Sequence, residues 1–205
     1  MADHYFAETP STPSRRVVVD MRLPDMQVNL LADRGVFSGS RVDPGTLTLL
    51  RQTPPPPPTG EVLDLGCGYG PVACALAKRA PGATVWAVDV NSRALELASA
   101  NAVSLGLNNV RAVRPDDVPD EVVFNGIWSN PPVRVGKLAL RELLSTWLAR
   151  LAGDASAWLV VNRHLGSDSL AEWLAAEGWD VRREASKSGY RVLQVTSARG
   201  GEVAR

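Results

Sequence analysis

The spacing of short apolar runs after residue 60 constrains the fold of this chain more than any other feature. From there on, runs typical of buried strands alternate with amphipathic stretches that favour helices. The predicted strands are residues 61–65, 84–88, 110–113, 122–128, 157–161, one around Val181, and 190–195. The predicted helices are residues 71–79, 91–105, one that begins near Lys137, and 167–177. This alternation predicts an α/β fold with a mostly parallel sheet covered on both faces.

The last two predicted strands, around Val181 and at residues 190–195, have no helix between them. The segment Lys187-Ser188-Gly189 is typical of a tight turn, so we expect an antiparallel hairpin there. The fold class is therefore a doubly wound, mostly parallel, seven-stranded sheet with an antiparallel C-terminal edge hairpin.

A second pattern precedes the sheet. Residues 15–23 and 26–31 favour two strands joined by a Pro-Asp turn, which predicts a β-hairpin, and Asp43-Pro44 is typical of the start of a short helix. Five consecutive prolines at 54–58 follow. We interpret them as a stiff spacer, with an SH3-type ligand as the alternative. We expect a single domain over 1–197, with an N-terminal extension at 12–58, a core at 59–197 and a flexible tail at 198–205.

Composition excludes several other classes of protein. The chain has 205 residues, in which 22 Lys and Arg balance 22 Asp and Glu, and zero net charge argues against a protein that coats nucleic acid. The two cysteines are too few for a disulfide framework or a four-ligand structural zinc site, and we expect no metal. No apolar run approaches the roughly 18 residues of a membrane span, and the polar, Pro-broken start lacks a signal-peptide core. These features predict a soluble, cytoplasmic protein.

A glycine-rich turn, Asp64-Leu65-Gly66-Cys67-Gly68-Tyr69-Gly70-Pro71, follows the first strand of the predicted sheet. Ligands of such sheets lie outside the carboxyl ends of the strands. A nicotinamide site spaces its glycines as G-x-G-x-x-G and binds pyrophosphate, but here the third glycine comes one residue early and Asp64 would repel a pyrophosphate. S-adenosylmethionine (SAM) carries a sulfonium and an ammonium and no phosphate, so the turn favours SAM. Its candidate ligands here are Asp64, Gly66, Cys67, Gly68 and Gly70.

Acidic residues follow the next two strands. Asp89, with Val90 after it, ends the second strand of the core, where a carboxylate can accept hydrogen bonds from both ribose hydroxyls. Asp116 and Asp117 follow the third strand, and Asp116 is the better placed to accept a hydrogen bond from the adenine amino group. The combination of the glycine turn with Asp89 predicts a SAM site more specifically than either feature alone.

The motif Ser129-Asn130-Pro131-Pro132 follows the fourth strand, at the same edge of the sheet. It supplies two acceptors, the Asn130 side-chain oxygen and the Pro131 carbonyl, and the prolines hold the backbone so that both point one way. Hydrogen bonds from an exocyclic amino group to these oxygens would aim its lone pair at a methyl carbon. We therefore predict that Asn130 and Pro131 are catalytic, that Asn130 also borders the cofactor, and that transfer is an in-line displacement.

These motifs resemble the class I SAM-dependent methyltransferases, which have a Rossmann-like fold. The outer motifs Gly35-Val36-Phe37-Ser38, Asp43-x-Gly45 and Lys187-x-Gly189-Tyr190 are similar, more narrowly, to single-domain members of the small-subunit ribosomal RNA guanine-N2 methyltransferases, the "methyltransferase small" domain. The resemblance runs from about residue 4 to residue 195. It implies SAM-dependent methylation of guanine N2 during ribosomal RNA processing.

The resemblance also indicates where the substrate lies. The candidates for substrate binding are Phe37, Pro132, Val133, Arg134 and Lys137. Many members of the wider group have Phe or Tyr after Asn-Pro-Pro, where the ring stacks on the target base. Here Val133 stands at that position, so another side chain must cover the base, or the substrate differs. Arg134 and Lys137 are candidates for phosphate contacts, with a solvated helix start as the alternative.

The size of the chain bears on its partners. Extruding a base from its stack costs on the order of a few kcal/mol, and a neutral chain this small offers little surface to offset it. We therefore expect it to recognise ribosomal RNA in a small ribosomal subunit or assembly intermediate, through the basic C-terminal third and the N-terminal hairpin. Two alternatives are methylation of a small molecule or protein amide, since Asn-Pro-Pro serves those amines too, and a SAM-binding scaffold without turnover, against which Asn130 argues.

Overall fold

The computed structural model describes residues 13–36, 38 and 41–198, with the backbone alone at Arg134. Phe37 and residues 199–205 lie outside this part, so the predictions made for Phe37 and for most of the tail fall outside it as well. The described strands are β1 Val17–Leu23, β2 Met26–Ala32, β3 Thr59–Leu65, β4 Gly82–Val88, β5 Val110–Val113, β6 Gly126–Ser129, β7 Ser156–Asn162, β8 Trp179–Lys187 and β9 Tyr190–Ser197. The described helices are α1 Pro44–Gln52, α2 Pro71–Arg79, α3 Ser92–Ser104, α4 Lys137–Leu148 and α5 Ser167–Ala176, beside short 3-10 turns.

The main sheet has seven strands in the order β5-β4-β3-β6-β7-β9-β8 across the described residues. The strands from β5 to β7 are mutually parallel, and β9 runs antiparallel to both β7 and β8. The predicted fold class, a mostly parallel sheet with an antiparallel edge hairpin, is confirmed. The chain winds outward in one direction from β3 and in the other from β6, so a crevice opens between the carboxyl ends of these two strands.

Helices cover both faces of the sheet, which explains why its central strands are apolar on both sides. From Val62 to Leu65, every residue of β3 is buried. One hydrophobic cluster joins α1, α2 and α3 to the β1–β2 hairpin, and a second joins α4 and α5 to the other face. None of the helices among the described residues is long and apolar enough to cross a membrane.

The fourth strand of the sheet is shorter than predicted. The sequence favours a strand at 122–128, but β6 begins only at Gly126. Phe124 pairs instead with the connection that follows α4: its N–H donates to the Arg150 carbonyl at 2.8 Å, and its carbonyl accepts the Ala152 N–H at 2.9 Å. These long-range bonds satisfy the backbone of Phe124 outside the sheet, which local β-propensity cannot indicate.

The segment before the proline run packs as part of the same body as the sheet. The predicted hairpin forms as β1 and β2 and sets Met21 and Leu30 into the first cluster, where Leu49 and Leu50 of α1 join Val160 of β7. Residues 54–58 form the irregular connection from α1 to β3. The carboxyl end of the sheet and the N-terminus of α1 are therefore held together by a shared apolar core.

A buried amide ties the hairpin to the glycine turn. Asn101 of α3 is fully buried; its Oδ1 accepts the Leu31 N–H at 2.7 Å, and its Nδ2 donates to the carbonyls of Leu31 at 2.9 Å and Tyr69 at 2.8 Å. One side chain thus satisfies a backbone donor and two backbone acceptors, of which the Tyr69 carbonyl is buried and the two Leu31 groups are partly buried.

Replacing Asn101 with Ala should therefore destabilise the protein. We expect the free energy of unfolding to fall by about 3 kcal/mol, because three backbone groups lose their partner. Urea denaturation measures this, and Asn108→Ala, at an exposed position just after the same helix, serves as the control. The control should stay within about 0.5 kcal/mol of the parent. Equal losses in the two variants would contradict the role given to Asn101.

Candidate active site

A cleft opens in the crevice between β3 and β6. Its lining includes predicted site residues from two separate loops, namely Asp64, Gly66, Cys67, Gly68 and Asn130. It also includes residues that the sequence analysis did not assign to the site, namely Ser38, Asp43, Thr46, Tyr69, Pro71 and Val72. The glycine turn and the Asn-Pro-Pro motif, 60 residues apart, thus meet at one opening.

The glycine turn bends sharply from β3 into α2. The N–H groups of Gly66 and Cys67 both donate to the Val88 carbonyl, at 2.8 and 3.0 Å, which fixes the turn against the end of β4. Gly70 has a φ of 84° and precedes the first helical residue, Pro71. A Cβ at Gly70 would lie 3.0 Å from the Cβ of Ala98 in α3, so both the backbone angle and the available space favour glycine.

Asp64 is buried under this turn. Its Oδ2 accepts the Ala73 N–H at 2.8 Å, one of the donors that the first turn of α2 leaves unpaired. Burial raises the pKa of Asp64 to about 8, with the Ala73 hydrogen bond opposing the rise and the charge of Asp89 adding to it. A cation bound beside this carboxyl group would favour its ionised form, whereas an anion would oppose it.

Asp89 connects the loops that follow β3 and β4. It is 7% exposed, its Oδ2 accepts the Gly68 N–H at 2.9 Å, and its Oδ1 accepts the Asn91 N–H at 3.0 Å. Burial raises the pKa of Asp89, and these backbone donors oppose the rise. Each carboxylate oxygen can accept a further bond, so the proposed ribose contact is compatible with this geometry.

Some predicted cofactor ligands lie at the same sheet edge but outside the lining of the cleft. Gly70 is the N-cap of α2, Asp89 and Val90 follow β4, and Asp116 is exposed in a 3-10 turn just after β5. The structure therefore brings the glycine turn and Asn130 together in one cleft. The predicted contacts to ribose and adenine fall along the surface that leads from the cleft toward β5.

Asn130 follows β6 and reaches across to α1. Its Nδ2 donates to Oδ1 of Asp43 at 2.9 Å and to Oγ1 of Thr46 at 3.1 Å. Within the described part of the chain, no hydrogen bond is made by its Oδ1. The carbonyl of Pro131, the second predicted acceptor, already accepts the Val133 N–H at 2.8 Å and keeps one lone pair.

The predicted substrate residues beyond Asn130 differ in their surroundings. Pro132 is buried, and Val133 is half-buried against the cluster beneath α4 and α5. Lys137 is exposed at the start of α4. For Arg134 only the backbone position, in a 3-10 turn, is described.

Tyr69 is the clearest site residue that the sequence analysis did not single out. It is 2% exposed, and among the described residues its hydroxyl is the buried side-chain group without a hydrogen-bond partner. Burial and the negative charge of Asp43 raise the pKa of Tyr69. A buried hydroxyl that lines a cleft and lacks a partner favours a ligand that supplies an acceptor. The sequence feature that could have indicated Tyr69 is its position inside the glycine turn.

The two cysteines are thiols that pack in the interior. Both are buried and free, and burial raises the pKa of Cys74 to about 12 and that of Cys67 well above its ordinary range. Neither is therefore a thiolate at neutral pH. In the ranges that the structure describes, no group of three or more His, Cys, Asp or Glu side chains is arranged to hold a metal ion.

A cationic, phosphate-free cofactor suits this cleft. A diphosphate would oppose the ionisation of Asp64 and Asp89, whereas the sulfonium and ammonium of SAM would favour it. SAM also carries carboxylate and ribose oxygens that can accept from Tyr69. A turn of this kind, facing Asn-Pro-Pro on a sheet of this strand order, is the arrangement of the class I SAM-dependent methyltransferases.

Comparison with known proteins identifies the family within that class. The family model of the methyltransferase small domain matches residues 27–194, and the chain belongs to this family, whose members use SAM. It is 32% identical over 197 residues to an uncharacterised Bacillus subtilis protein, YbxB, a match that covers 95% of this chain and 98% of that protein.

Relatives with named activities are longer. The chain is 34% identical over 159 residues to ribosomal RNA small subunit methyltransferase C of Shewanella sediminis, covering 74% of this chain and 45% of that one. It is similar, with a TM-score of 0.75 and 26% identity, to the T. thermophilus 16S rRNA N2 G1207 methyltransferase in complex with AdoMet and guanosine, over 92% of this chain and 52% of that one. The chain thus spans about half the length of these methyltransferases.

The burial of Asp64 predicts a pH dependence of stability. Between its ordinary pKa of 3.8 and a pH of about 8, the folded protein keeps a proton on Asp64 that the unfolded chain releases. The contribution of this group to the free energy of unfolding is therefore full below that range and falls as pH rises through it, by at most about 1.4 kcal/mol per pH unit. Asp64→Asn should flatten the profile measured by urea denaturation across this range. Parallel profiles for the two proteins would contradict the assignment.

Tyr69→Phe tests whether the unpaired hydroxyl binds the cofactor. The change removes no internal hydrogen bond, so the unliganded protein should melt at the same temperature or higher. Affinity for SAM, measured by titration calorimetry, should fall about fivefold to tenfold, as expected for the loss of one hydrogen bond. A lower melting temperature with undiminished affinity would mean that the hydroxyl serves the fold instead.

Proposed function

We propose that this protein transfers the methyl group of SAM to an exocyclic amino nitrogen, the N2 of a guanine in ribosomal RNA. The observation that carries the proposal is the geometry of Asn130. Its amide nitrogen is engaged by α1, so its oxygen is left as an acceptor at a cleft that suits SAM. That is the group an amino-directed methyltransferase needs beside its methyl donor.

The residues of the cleft position the amine and do not need to ionise it first. SAM, when bound, supplies an electrophilic methyl group. The Asn130 Oδ1 and the free lone pair of the Pro131 carbonyl accept the two N–H bonds of the amino group, which favours its pyramidal form and directs its lone pair. The lone pair of the amino nitrogen forms the new N–C bond while the C–S bond breaks and S-adenosylhomocysteine leaves. The methylated nitrogen then loses a proton to water.

Exposed cationic side chains along the sheet edge that carries Asn130 support an RNA substrate. Lys137 begins α4 just after the Asn-Pro-Pro loop, Arg163 follows the end of β7, and Lys187 ends β8 at the turn into β9. Because β6 and β7 are parallel and β9 runs back along β7, these three positions lie at the same sheet edge. The Arg163 N–H donates to the Gly189 carbonyl at 2.8 Å, which joins two of these loops. Phosphates around an extruded base would meet positive charge there.

The named relatives support the ribosomal assignment. Their names describe them as methyltransferases of small-subunit ribosomal RNA, and the similar solved structure is a complex with AdoMet and guanosine. A ribosomal subunit or an assembly intermediate would add to the surface through which the substrate is recognised, and it would place the protein in the cytoplasm.

Asn130→Ala tests the proposed function. Incubation with radiolabelled SAM and small ribosomal subunits from cells without this protein should label the RNA, and the variant should lose at least about 100-fold in rate. Its thermal stabilisation by SAM should remain, which separates chemistry from binding. Asn108→Ala, at an exposed position, serves as the control and should label RNA at the parental rate.

The design also tests the substrate class. Naked RNA, assembled subunits, total protein and small metabolites are assayed side by side. Label confined to protein or metabolites would overturn the RNA assignment. A full-rate Asn130→Ala enzyme would overturn the role of the amide.

A further inference from the structure

The N-terminus of α1 contacts Asn130 in a way that helix capping alone does not require. Asp43 is the N-cap of α1, and its Oδ1 accepts the N–H groups of Gly45 at 2.8 Å and Thr46 at 3.1 Å. The same oxygen also accepts Nδ2 of Asn130 at 2.9 Å, while Oγ1 of Thr46 takes a second bond from that nitrogen at 3.1 Å. Two side chains of one helix turn thus engage the amide nitrogen of a loop 87 residues away.

The chemistry of these partners determines which way the Asn130 amide points. A carboxylate has only acceptor atoms, so the amide must turn its nitrogen toward Asp43. The reverse orientation would set Oδ1 of Asn130 against a carboxylate oxygen at hydrogen-bond distance and lose the bond to Asp43, and only the Thr46 hydroxyl, which can donate as well as accept, could still bond to it. The amide nitrogen carries two hydrogens, which is enough for Asp43 and Thr46 together. The Asn130 oxygen is therefore held away from α1.

The helix turn that holds the amide is itself firmly placed. Thr46 is 4% exposed, and Leu49 and Leu50 of the same helix are buried in the first cluster. Gly45 lies against Tyr190 of β9 so closely that a Cβ would come within 2.7 Å of Cε1 of that ring. The acceptors are thus fixed by the core packing and by the edge hairpin, and they do not depend on an exposed loop.

We propose that Asp43 and Thr46 are positioning residues for methyl transfer, which orient the Asn130 amide so that its Oδ1 faces the amino group of the substrate. This inference rests on the proposed function. It means that the segment before the proline run completes the active site of the core. Both act on the amino group through Asn130.

A matched pair of substitutions tests Thr46. Thr46→Val keeps the shape of a buried side chain and removes the acceptor for Asn130. Thr48→Val makes the same change two residues on, where the hydroxyl donates to the Pro44 carbonyl at 2.8 Å and, among the described residues, makes no hydrogen bond to a residue of the cleft. We expect kcat to fall about tenfold in Thr46→Val with KM values for SAM and RNA within about twofold, and no such loss in Thr48→Val. Equal effects in the pair would overturn the role of Thr46.

A second pair separates orientation from helix capping at Asp43. Ser is a good N-cap, but its shorter side chain ends before the position of the Asp43 Oδ1, so Asp43→Ser keeps the cap and loses the bond to Asn130. Asp43→Asn keeps an oxygen at that position. We expect kcat to fall about 100-fold in Asp43→Ser, with its melting temperature nearly unchanged, and to recover largely in Asp43→Asn. Parental kcat in Asp43→Ser would overturn the proposal.

NMR spectroscopy tests the orientation of the Asn130 amide independently of any activity measurement. The side-chain amide signals of Asn130, identified in ¹⁵N-labelled protein by their loss in Asn130→Ala, should exchange slowly with water in the parent and in Thr48→Val, and rapidly in Asp43→Ser. Rapid exchange in the parent would overturn the inference, whatever the substrate. Slow exchange in a protein that methylates no RNA would overturn the proposed function and leave the anchoring of the amide in place.

Discussion

The proposed chemistry depends on the hydrogen bonds between Asn130 and the first turn of α1. An asparagine amide carries a donor end and an acceptor end, and a site that uses one end must control the other. Here a carboxylate and a hydroxyl engage the donor end at 2.9 and 3.1 Å, so the acceptor end is left for a ligand. The shared core of α1, β7 and the hairpin holds these groups at the sheet edge where the cofactor cleft opens.

A second constraint is the burial of two carboxyl groups around the glycine turn. Asp64 and Asp89 are 1% and 7% exposed, which raises the pKa of both groups, and each accepts backbone N–H bonds that oppose the rise. These bonds hold the turn between the ends of β3 and β4. The same arrangement makes the cleft suited to a positively charged ligand and unsuited to a diphosphate, which is the physical basis for the methyltransferase class.

Patterns close together in the sequence predicted most of the fold. The alternation of strands and helices, the edge hairpin and the β1–β2 hairpin all formed, because periodicity and turn residues are local signals. The prediction of a strand at 122–128 was wrong in its first half, because the backbone of Phe124 forms hydrogen bonds with the distant connection after α4. Within the site, the glycine turn and Asn130 were predicted to meet, and they do. The roles of Asp43 and Thr46 could not be predicted from the sequence. Their hydrogen bonds to Asn130 join residues more than 80 positions apart, and the local sequence around Asp43 is explained by the start of a helix alone.

The most direct test of this account is a crystal structure of the protein with S-adenosylhomocysteine and a guanosine-containing oligonucleotide. We expect the Asn130 Oδ1 to lie within about 3 Å of the guanine N2, with Nδ2 still bonded to Asp43. A guanine bound with its N2 away from Asn130, or an amide whose nitrogen faces the base, would contradict it.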